Sequence, residues 1–165
     1  MEIINDLFTR INEAKYLFLR SLTESGINQL YLVIEEAVVN EAKHGKMKSS
    51  DLPDDLAFLI DNSAPIESID GCLAFRLYWK HYAAYLVTEE CVGSCGDYSD
   101  EIFEGDRVRK YTKSHFLEHL ARDTGAHSGS LVHFKIICEN HLVDVAAEDL
   151  PEIEIVHSFD RSWIH

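Results

Sequence analysis

One stretch of the chain alternates apolar and polar residues and constrains the fold more than any other feature. Across CLAFRLYWKHYAAYLVT, from Cys72 to Thr88, the apolar residues fall on odd-numbered positions, and only His81 interrupts them. Alternation with period two is typical of β-strands, whose successive side chains point to opposite faces. The pattern fits either one strand of about 55 Å or two strands joined without a change of phase. We take a long central strand as the expectation, with His81 as a core residue.

A second alternating stretch, from Leu131 onward, predicts a C-terminal β-hairpin. The segment Asn140-His141 suits a two-residue turn between the two strands. On the core face, this register predicts the pairs Cys138–Val143, Ile136–Val145 and Phe134–Ala147. On the polar face, it predicts the pairs His133–Glu148 and Ile137–Asp144. The EIEIV segment after Pro151 predicts one more edge strand.

Helical spacing occurs at two main places. Apolar residues spaced by three and four positions run from Ile4 to Leu22 and predict an N-terminal helix that ends at Gly26. Ser114 stands in an N-cap position before HFLEHLAR and predicts a second helix near residues 114–123. A short capped helix is also expected after Asp51. Residues 30–40 fit a helix or a strand, and their β-branched residues favour a strand.

Taken together, these patterns predict a single domain of the α+β class over residues 1–165. A chain of this length corresponds to about one domain, and its 46% apolar residues suffice for a buried core. We expect a largely antiparallel twisted β-sheet with the long central strand and the C-terminal hairpin. The two helices and a short basic strand, RVRKYT, complete this expected arrangement.

The charge of the chain disfavours several classes of partner. With 15 Lys and Arg against 29 Asp and Glu, the net charge is −14, which repels nucleic acid and anionic membranes and attracts basic proteins. No apolar run approaches the roughly 20 residues that span a bilayer, and the first residues carry acids rather than lysines. The four cysteines are expected to be reduced thiols. We therefore expect a cytoplasmic protein without a membrane span.

The acids are concentrated in two blocks, 89–106 and 139–160. The first block has seven acids and no base, and it also holds Tyr98, Ile102 and Phe103. Aromatic anchors among charged residues are typical of surfaces that bind other proteins. The residues predicted to contact a basic protein are Asp97, Tyr98, Asp100, Glu101, Phe103, Glu104 and Asp106. Which block makes the contact, and whether the chain forms a homodimer, stay open.

A sheet that binds single-stranded nucleic acid is the first alternative. Its candidate residues alternate along the central run and continue in the short basic strand: Arg76, Tyr78, Lys80 and Tyr82, with Arg107, Arg109, Lys110 and Lys113. Bases stack on such aromatic residues, and cations bind the phosphates. The net charge opposes this function, and the cations have acids of neighbouring strands as potential partners.

A metal-dependent hydrolase is the second alternative. His115, Glu118 and His119 spell HFLEH, an H-x-x-E-H order that resembles the inverted zinc-peptidase motif. At 100° per residue, these three side chains lie on the solvated face of the helix, where a dry catalytic cavity cannot form. Cys91 and Cys95 form a C-x3-C pair that matches no common zinc or redox spacing, so a metal site there stays open. We expect no catalysis, metal or cofactor.

Three segments of the chain also resemble a known group of proteins. LAFRLYWKHYAAYLVTEE, YTKSHFLEHL and HFKIICENHLVDVAAEDLPEI are similar to segments of small acidic bacterial proteins. Some of these are immunity proteins of contact-dependent growth-inhibition and related polymorphic toxin systems. The resemblance runs from Cys72 to Ile155 and implies an intracellular, non-catalytic protein that neutralises one cognate toxin domain, often a nuclease. It carries over no contact residue, so the acidic candidates rest on charge alone.

Overall fold

The alternating segments of the sequence form two antiparallel β-sheets. The structure is a computed structural model, and it describes residues 2–43, 63–92, 98–124 and 130–156. In chain order its elements are α1 (Glu2–Asn12), β1 (Tyr16–Ser25), β2 (Gln29–Val39), a 3-10 turn (Glu41–Lys43), β3 (Ile66–Glu67), β4 (Ala74–Trp79), β5 (Tyr82–Glu89), β6 (Ile102–Glu104), β7 (Val108–Lys113), α2 (His115–Thr124), β8 (Val132–Ile137), β9 (His141–Ala147) and β10 (Glu152–Val156). Sheet 1 has the order β1-β2-β4-β10, with β3 paired to β2, and sheet 2 has the order β5-β9-β8-β7-β6. The α+β class with an N-terminal helix is confirmed.

The long central strand does not form, because its alternating run divides between the two sheets. β4 belongs to sheet 1 and β5 to sheet 2. The chain bends at Lys80 and His81, which are both exposed, so His81 is not a core residue. A β-bulge between Tyr82 and Ala84 then shifts the register of β5 against β9. The stretch therefore forms two strands, as the second reading has it, but the phase is not kept, because Tyr82 and Tyr85 both pack against the core.

The N-terminal helix ends at Asn12, well before the predicted Gly26. The next residues form β1, which pairs with β2, so the preference for a strand at residues 30–40 is confirmed. A register shift between Leu19 and Ser21 explains the wrong prediction. The irregularity inserts one residue into the alternation, so that Leu22 reaches the core together with Leu17 and Leu19, whereas Phe18, which belonged to the predicted helical stripe, is not among the core residues.

The second helix, α2, begins after Ser114 as predicted, and the edge strand from EIEIV is β10. Of the helices that the structure describes, none has the length and apolar character to cross a membrane. The short helix predicted after Asp51 lies outside the described residues.

The C-terminal hairpin forms with the predicted faces but with a different register. Glu139 and Asn140 occupy the turn, and His141 is the first residue of β9. The observed pairs are Ile136–Val143, Phe134–Val145, His133–Ala146, Lys135–Asp144 and Ile137–Leu142. The register therefore differs from the prediction by two positions. Because side chains alternate with period two, this shift leaves every residue on its predicted face. The predicted polar face is nevertheless buried as well at His133, Asp144 and Ala146, so the expectation of one buried and one polar side is wrong.

The inner faces of the two sheets share one hydrophobic core. Its largest side chains meet at Phe134, whose ring lies 5.9 Å from Trp79 of sheet 1 and 6.4 Å from Phe8 of α1, measured between centroids. The fully buried residues of this core include Ile11, Leu17, Leu30, Leu32, Ile34, Phe75, Leu77, Val108, Ile136, Val143 and Val145. Cys138 is also buried there, as predicted, and burial raises the pKa of its thiol to about 12.

A single carboxamide, that of Asn12, joins α1 to the turn between β6 and β7. Its Oδ1 accepts hydrogen bonds from the backbone N–H groups of Asp106, Arg107 and Val108, at 2.9, 2.8 and 2.9 Å. The turn also requires a glycine at position 105. The φ of Gly105 is +92°, and a Cβ at that position would collide with the carbonyl oxygen of Val108. The turn is therefore held in one conformation.

The core prediction concerns Ile136, which is fully buried between the sheets. Replacement of Ile136 with alanine should lower the free energy of unfolding by about 2–5 kcal/mol, because a cavity remains in a core made of both sheets. Urea denaturation measures the loss. The exposed Ile102 is the control, and Ile102→Ala should change stability by less than about 0.5 kcal/mol. Equal effects of the two substitutions would contradict the described core.

A second prediction separates the two reasons why Gly105 is needed. Gly71 has a similar φ of +97°, but a Cβ there would meet no atom within 4 Å. Both Gly105→Ala and Gly71→Ala should therefore cost about 1 kcal/mol or more through backbone strain. Only the first adds a collision, so Gly105→Ala should be clearly the more destabilising in urea denaturation. Similar losses for both variants would show that the close approach to Val108 is not a constraint.

Candidate functional site

Residues 98–106 of the acidic block run along one edge of sheet 2. β6 forms this edge, and all three of its residues are exposed. Phe103 keeps 41% of its surface exposed while its ring lies 5.1 Å from that of Tyr111 in β7. Tyr98 is 45% exposed. Asp97 lies outside the described residues, and the other six candidate residues all belong to this one edge.

The carboxylates of this edge are not as isolated as the sequence indicates. Asp100 pairs with Lys113 at 2.6 Å and with Nε2 of His115 at 2.7 Å. The hydrogen bond from Lys113 lowers the pKa of the Asp100 carboxyl below its ordinary value. Glu104 pairs with Lys110 at 3.4 Å. The block has no base of its own, but β7 supplies two lysines, Lys110 and Lys113, that compensate two of its acids.

Glu101 anchors the segment to α2. Its Oε1 accepts a hydrogen bond of 2.9 Å from the backbone N–H of His115, the first residue of the helix. Carboxylates are favoured at helix N-termini, where N–H groups lack partners within the helix. Glu104 is 75% exposed and Asp106 is exposed, and within the described residues Asp106 has no ion pair. Glu104 and Asp106 are therefore exposed carboxylates of this edge that are accessible to another molecule.

A cleft of about 330 Å³ opens between this segment and the outer face of sheet 2. Its walls include the rings of Tyr98, Phe103 and Tyr111. Two cations also line it: the guanidinium of Arg109 lies 4.3 Å from the ring centroid of Phe103, and Nζ of Lys135 lies 5.5 Å from that of Tyr98. Cation–π contacts of this kind hold the aromatic segment against the sheet.

The other residues that line the cleft are two acids, Glu90 and Glu101, and two apolar residues, Ile137 and Leu142. Burial raises the pKa of the Tyr111 hydroxyl above its ordinary value, and a hydrogen bond with Arg109 partly offsets this effect. The sequence analysis named Arg109 only as a phosphate contact and did not single out Tyr111 or Lys135. The alternation within RVRKYT was the signal for Arg109 and Tyr111, because it places both residues on one face of β7.

A buried chain of polar side chains connects α2 to sheet 2, and the sequence analysis missed it. Oγ of Ser114 lies 2.6 Å from Nδ1 of His133, and Nε2 of His133 lies 2.8 Å from Oδ1 of Asp144. The Asp144 carboxylate accepts a hydrogen bond from Nε2–H of His133. Nδ1 of a neutral His133 therefore accepts a hydrogen bond from the Ser114 hydroxyl. Ser114 Oγ also accepts the N–H of Leu117 at 3.3 Å.

Serine, histidine and aspartate are the residues of a hydrolytic triad, but here their hydrogen bonds have a structural role. Ser114 and His133 are each only 2% exposed, so a substrate carbonyl cannot approach the Ser114 oxygen. The ring of His133 stacks on Tyr111 at 4.3 Å, which fills the space beside it. Ser114 acts as the N-cap of α2, and His133 fixes that cap to the sheet.

Ser114→Ala should lower the free energy of unfolding by about 1 kcal/mol for the lost N-cap. It should cost about 1–3 kcal/mol more because Nδ1 of His133 stays buried without a donor. Ser114→Thr, which keeps the hydroxyl, is the conservative comparison and should recover part of this loss. Hydrogen exchange should show α2 losing protection before β8 and β9 do. An alanine variant as stable as the wild type would rule out this role.

The structure divides the residues proposed to bind nucleic acid. On the outer face of sheet 1, Tyr78 stacks on Tyr31 at 4.4 Å, and Arg76 forms an ion pair with Glu154. Tyr82 packs against the core instead. The basic residues around β7 are partly engaged as well, since the described contacts include ion pairs of Arg107 with Glu139, Lys110 with Glu104 and Lys113 with Asp100. The eight predicted residues do not share one surface.

The two histidines of the HFLEH segment are held by different carboxylates. His115 faces Asp100, whereas Nδ1 of His119 lies 3.5 Å from Asp123 one turn later in α2. Among the described residues, no three histidine, cysteine or acidic side chains come together as a metal site would require. Cys91 is exposed, and the hydrogen bond with Glu90 raises the pKa of its thiol, as expected from the nearby acids. Cys95 lies outside the described residues.

No protein-family model matches this chain, and no significant match was found among curated proteins or among solved structures. The resemblance to immunity proteins therefore stays a prediction.

Proposed function

We propose that this chain is a non-catalytic immunity protein that binds and neutralises a basic toxin domain in the cytoplasm. The contact surface is the edge of sheet 2 formed by the described residues 98–106, which we call the acidic edge. The observation that carries the proposal is the exposure of two aromatic side chains, Tyr98 at 45% and Phe103 at 41%, on a segment whose conformation is fixed. A nuclease toxin would suit this surface, because nucleases present basic clefts for phosphates.

The rigidity of the acidic edge supports this function. Glu101 fixes it to α2, and the Asn12 carboxamide holds the turn that follows β6. A surface whose side chains are already ordered loses less conformational entropy when it binds a partner. Exposed aromatic residues on such a surface contribute contact area with few rotatable bonds, and they are typical of residues that dominate binding energy.

Electrostatics supplies the second part of the proposed mechanism. The net charge of −14 attracts a basic domain over distances larger than any single contact. Glu104 and Asp106 are exposed on the acidic edge, so they would meet the partner first. We expect the carboxylates to govern the rate of association and the aromatic residues to govern the rate of dissociation.

The experiment measures both rates against the toxin domain encoded by the neighbouring gene. Glu104→Gln with Asp106→Asn should slow association about threefold or more at low salt and flatten its salt dependence. Phe103→Ala and Tyr98→Ala should each speed dissociation about tenfold or more, as loss of a dominant contact does. Asp100 and Glu101 are left unchanged. Asp100 pairs with Lys113 and His115, and Glu101 accepts the N–H of His115 at the start of α2.

Matched controls come from sheet 1 and its connections. Glu41→Gln with Asp70→Asn removes two exposed carboxylates, and Ile69→Ala removes an apolar side chain that is 44% exposed. These variants should keep both rates within about twofold of the wild type if the acidic edge is the site. Wild-type rates in all the acidic-edge variants would exclude this surface. Failure of the wild-type protein to bind the neighbouring toxin would overturn the immunity function itself.

A further inference from the structure

Arg109 differs from the other arginines that the structure describes. Each of the other five has a carboxylate oxygen within 4.0 Å: Arg10–Glu36, Arg20–Glu35, Arg76–Glu154, Arg107–Glu139 and Arg122–Asp123. Within the described residues, Arg109 has no such partner, although the chain holds 29 acids. It is half-buried, and its Nε has neither a hydrogen-bond partner nor contact with water. A partly desolvated guanidinium without a counter-charge costs free energy, so its retention needs an explanation.

The cleft beside Arg109 is lined by two cations and two carboxylates. The second cation of the cleft, Lys135, is already compensated by Asp144 at 3.4 Å. Of the two acids, Glu101 is bound to the N–H of His115, and Glu90 is exposed. Within the described residues, Arg109 is thus the cation of the cleft that has no carboxylate oxygen within 4.0 Å, and it lies beside the aromatic walls.

We propose that this cleft receives a carboxylate side chain of the basic partner and that Arg109 binds that carboxylate as an anchor of the interface. The inference rests on the proposed function, because it concerns the same edge of sheet 2. A guanidinium presents a planar pair of N–H donors that matches a carboxylate, with a geometry that lysine cannot reproduce. The volume of about 330 Å³ is ample for an aspartate or glutamate side chain.

The composition of the cleft agrees with this role. Arginine and tyrosine are enriched among the residues that contribute most to protein–protein binding, and such residues sit in pockets from which the partner excludes water. Arg109 stacked on Phe103, with Tyr98 and Tyr111 beside it, has this composition. The exclusion of water would strengthen the new ion pair, since the effective dielectric constant falls.

In the proposed ion pair, this chain supplies the cation and the partner supplies the carboxylate, which is the reverse of the other charge contacts. This pair would also fix the register of the complex. The acidic edge attracts any basic surface, and attraction of this kind is not selective. A partner that docks out of register would place a cation against Arg109 or leave it buried without a counter-charge, and both arrangements cost free energy. The cognate partner alone would supply a carboxylate at this position.

The first test uses a small probe and the protein alone. Benzoate combines a carboxylate with an aromatic ring, and benzamide has the same shape without the charge. In NMR titrations, benzoate should shift the Arg109 Nε–H resonance and the ring resonances of Phe103 in a saturable way. Arg109→Gln should weaken this binding at least tenfold, and Arg109→Lys should recover only part of it. Equal binding of benzamide, or unchanged binding by Arg109→Gln, would overturn the proposal.

Two variants serve as further arms of the titration. Arg122 is an exposed arginine of α2, and Arg122→Gln should leave benzoate binding unchanged. Asp97→Asn tests whether this chain supplies the carboxylate itself. An increase in benzoate affinity in that variant would show an internal competitor and would overturn the assignment to a partner.

The second test uses the toxin domain from the neighbouring gene. Arg109→Gln should speed dissociation at least tenfold and change association by less than twofold, and benzoate should compete with the toxin for the wild-type protein but not for Arg109→Gln. If the toxin binds both proteins equally, this inference fails while the proposed function stands. If the toxin binds neither protein, the proposed function fails, and the inference about a partner fails with it even where benzoate binds.

Discussion

The carboxamide of Asn12 is the contact on which the candidate site depends. One oxygen atom accepts three consecutive backbone N–H groups, and its own Nδ2 donates to the carbonyl of Phe8 at 2.9 Å, so the side chain closes α1 and holds a distant turn together. An aspartate could accept the same bonds but could not donate to Phe8, and alanine would leave the turn without its acceptors. The position of β6 follows from this turn, because β6 ends at the residue before Gly105.

A second asparagine plays a comparable part at the other hairpin. Asn140 accepts the N–H of Leu19 at 2.9 Å and donates to the carbonyl of Leu19 at 3.0 Å, so its side chain joins the turn between β8 and β9 to an edge of sheet 1. Asn140 therefore adds polar contacts between the two sheets to their common apolar core, as Asn12 does between α1 and sheet 2. Each connection crosses a large sequence separation, 94 residues from Asn12 to Asp106 and 121 residues from Leu19 to Asn140, so local sequence patterns do not reveal it.

Sequence patterns predicted those parts of the fold in which one face of an element is buried. The hairpin faces of Ile136 and Val143 were predicted correctly although the turn was placed one residue too late, because a register shift of two positions preserves the face. The helix that was predicted to reach Gly26 shows the opposite case, since the predicted stripe combined Leu22, which reaches the core after the bulge, with Phe18, which does not. The site was predicted only in outline. The acids of residues 98–106 were visible as a block, but their pairing with Lys110 and Lys113 depends on the packing of β6 against β7.

The distribution of charge explains how one surface can be both attractive and selective. The charges of ion pairs at 2.6–3.4 Å, such as Lys113 with Asp100 and Lys110 with Glu104, nearly cancel, whereas the total charge of −14 remains and acts over separations up to the Debye length of about 8 Å. In the proposed complex, the partner would be attracted by the total charge and would meet a locally balanced surface at contact. Discrimination at contact would then depend on groups without an ion pair. Within the described residues, Asp106 on the acidic edge and Arg109 in the cleft are such groups, and their opposite signs would favour a partner that carries a cation and an anion in matching positions.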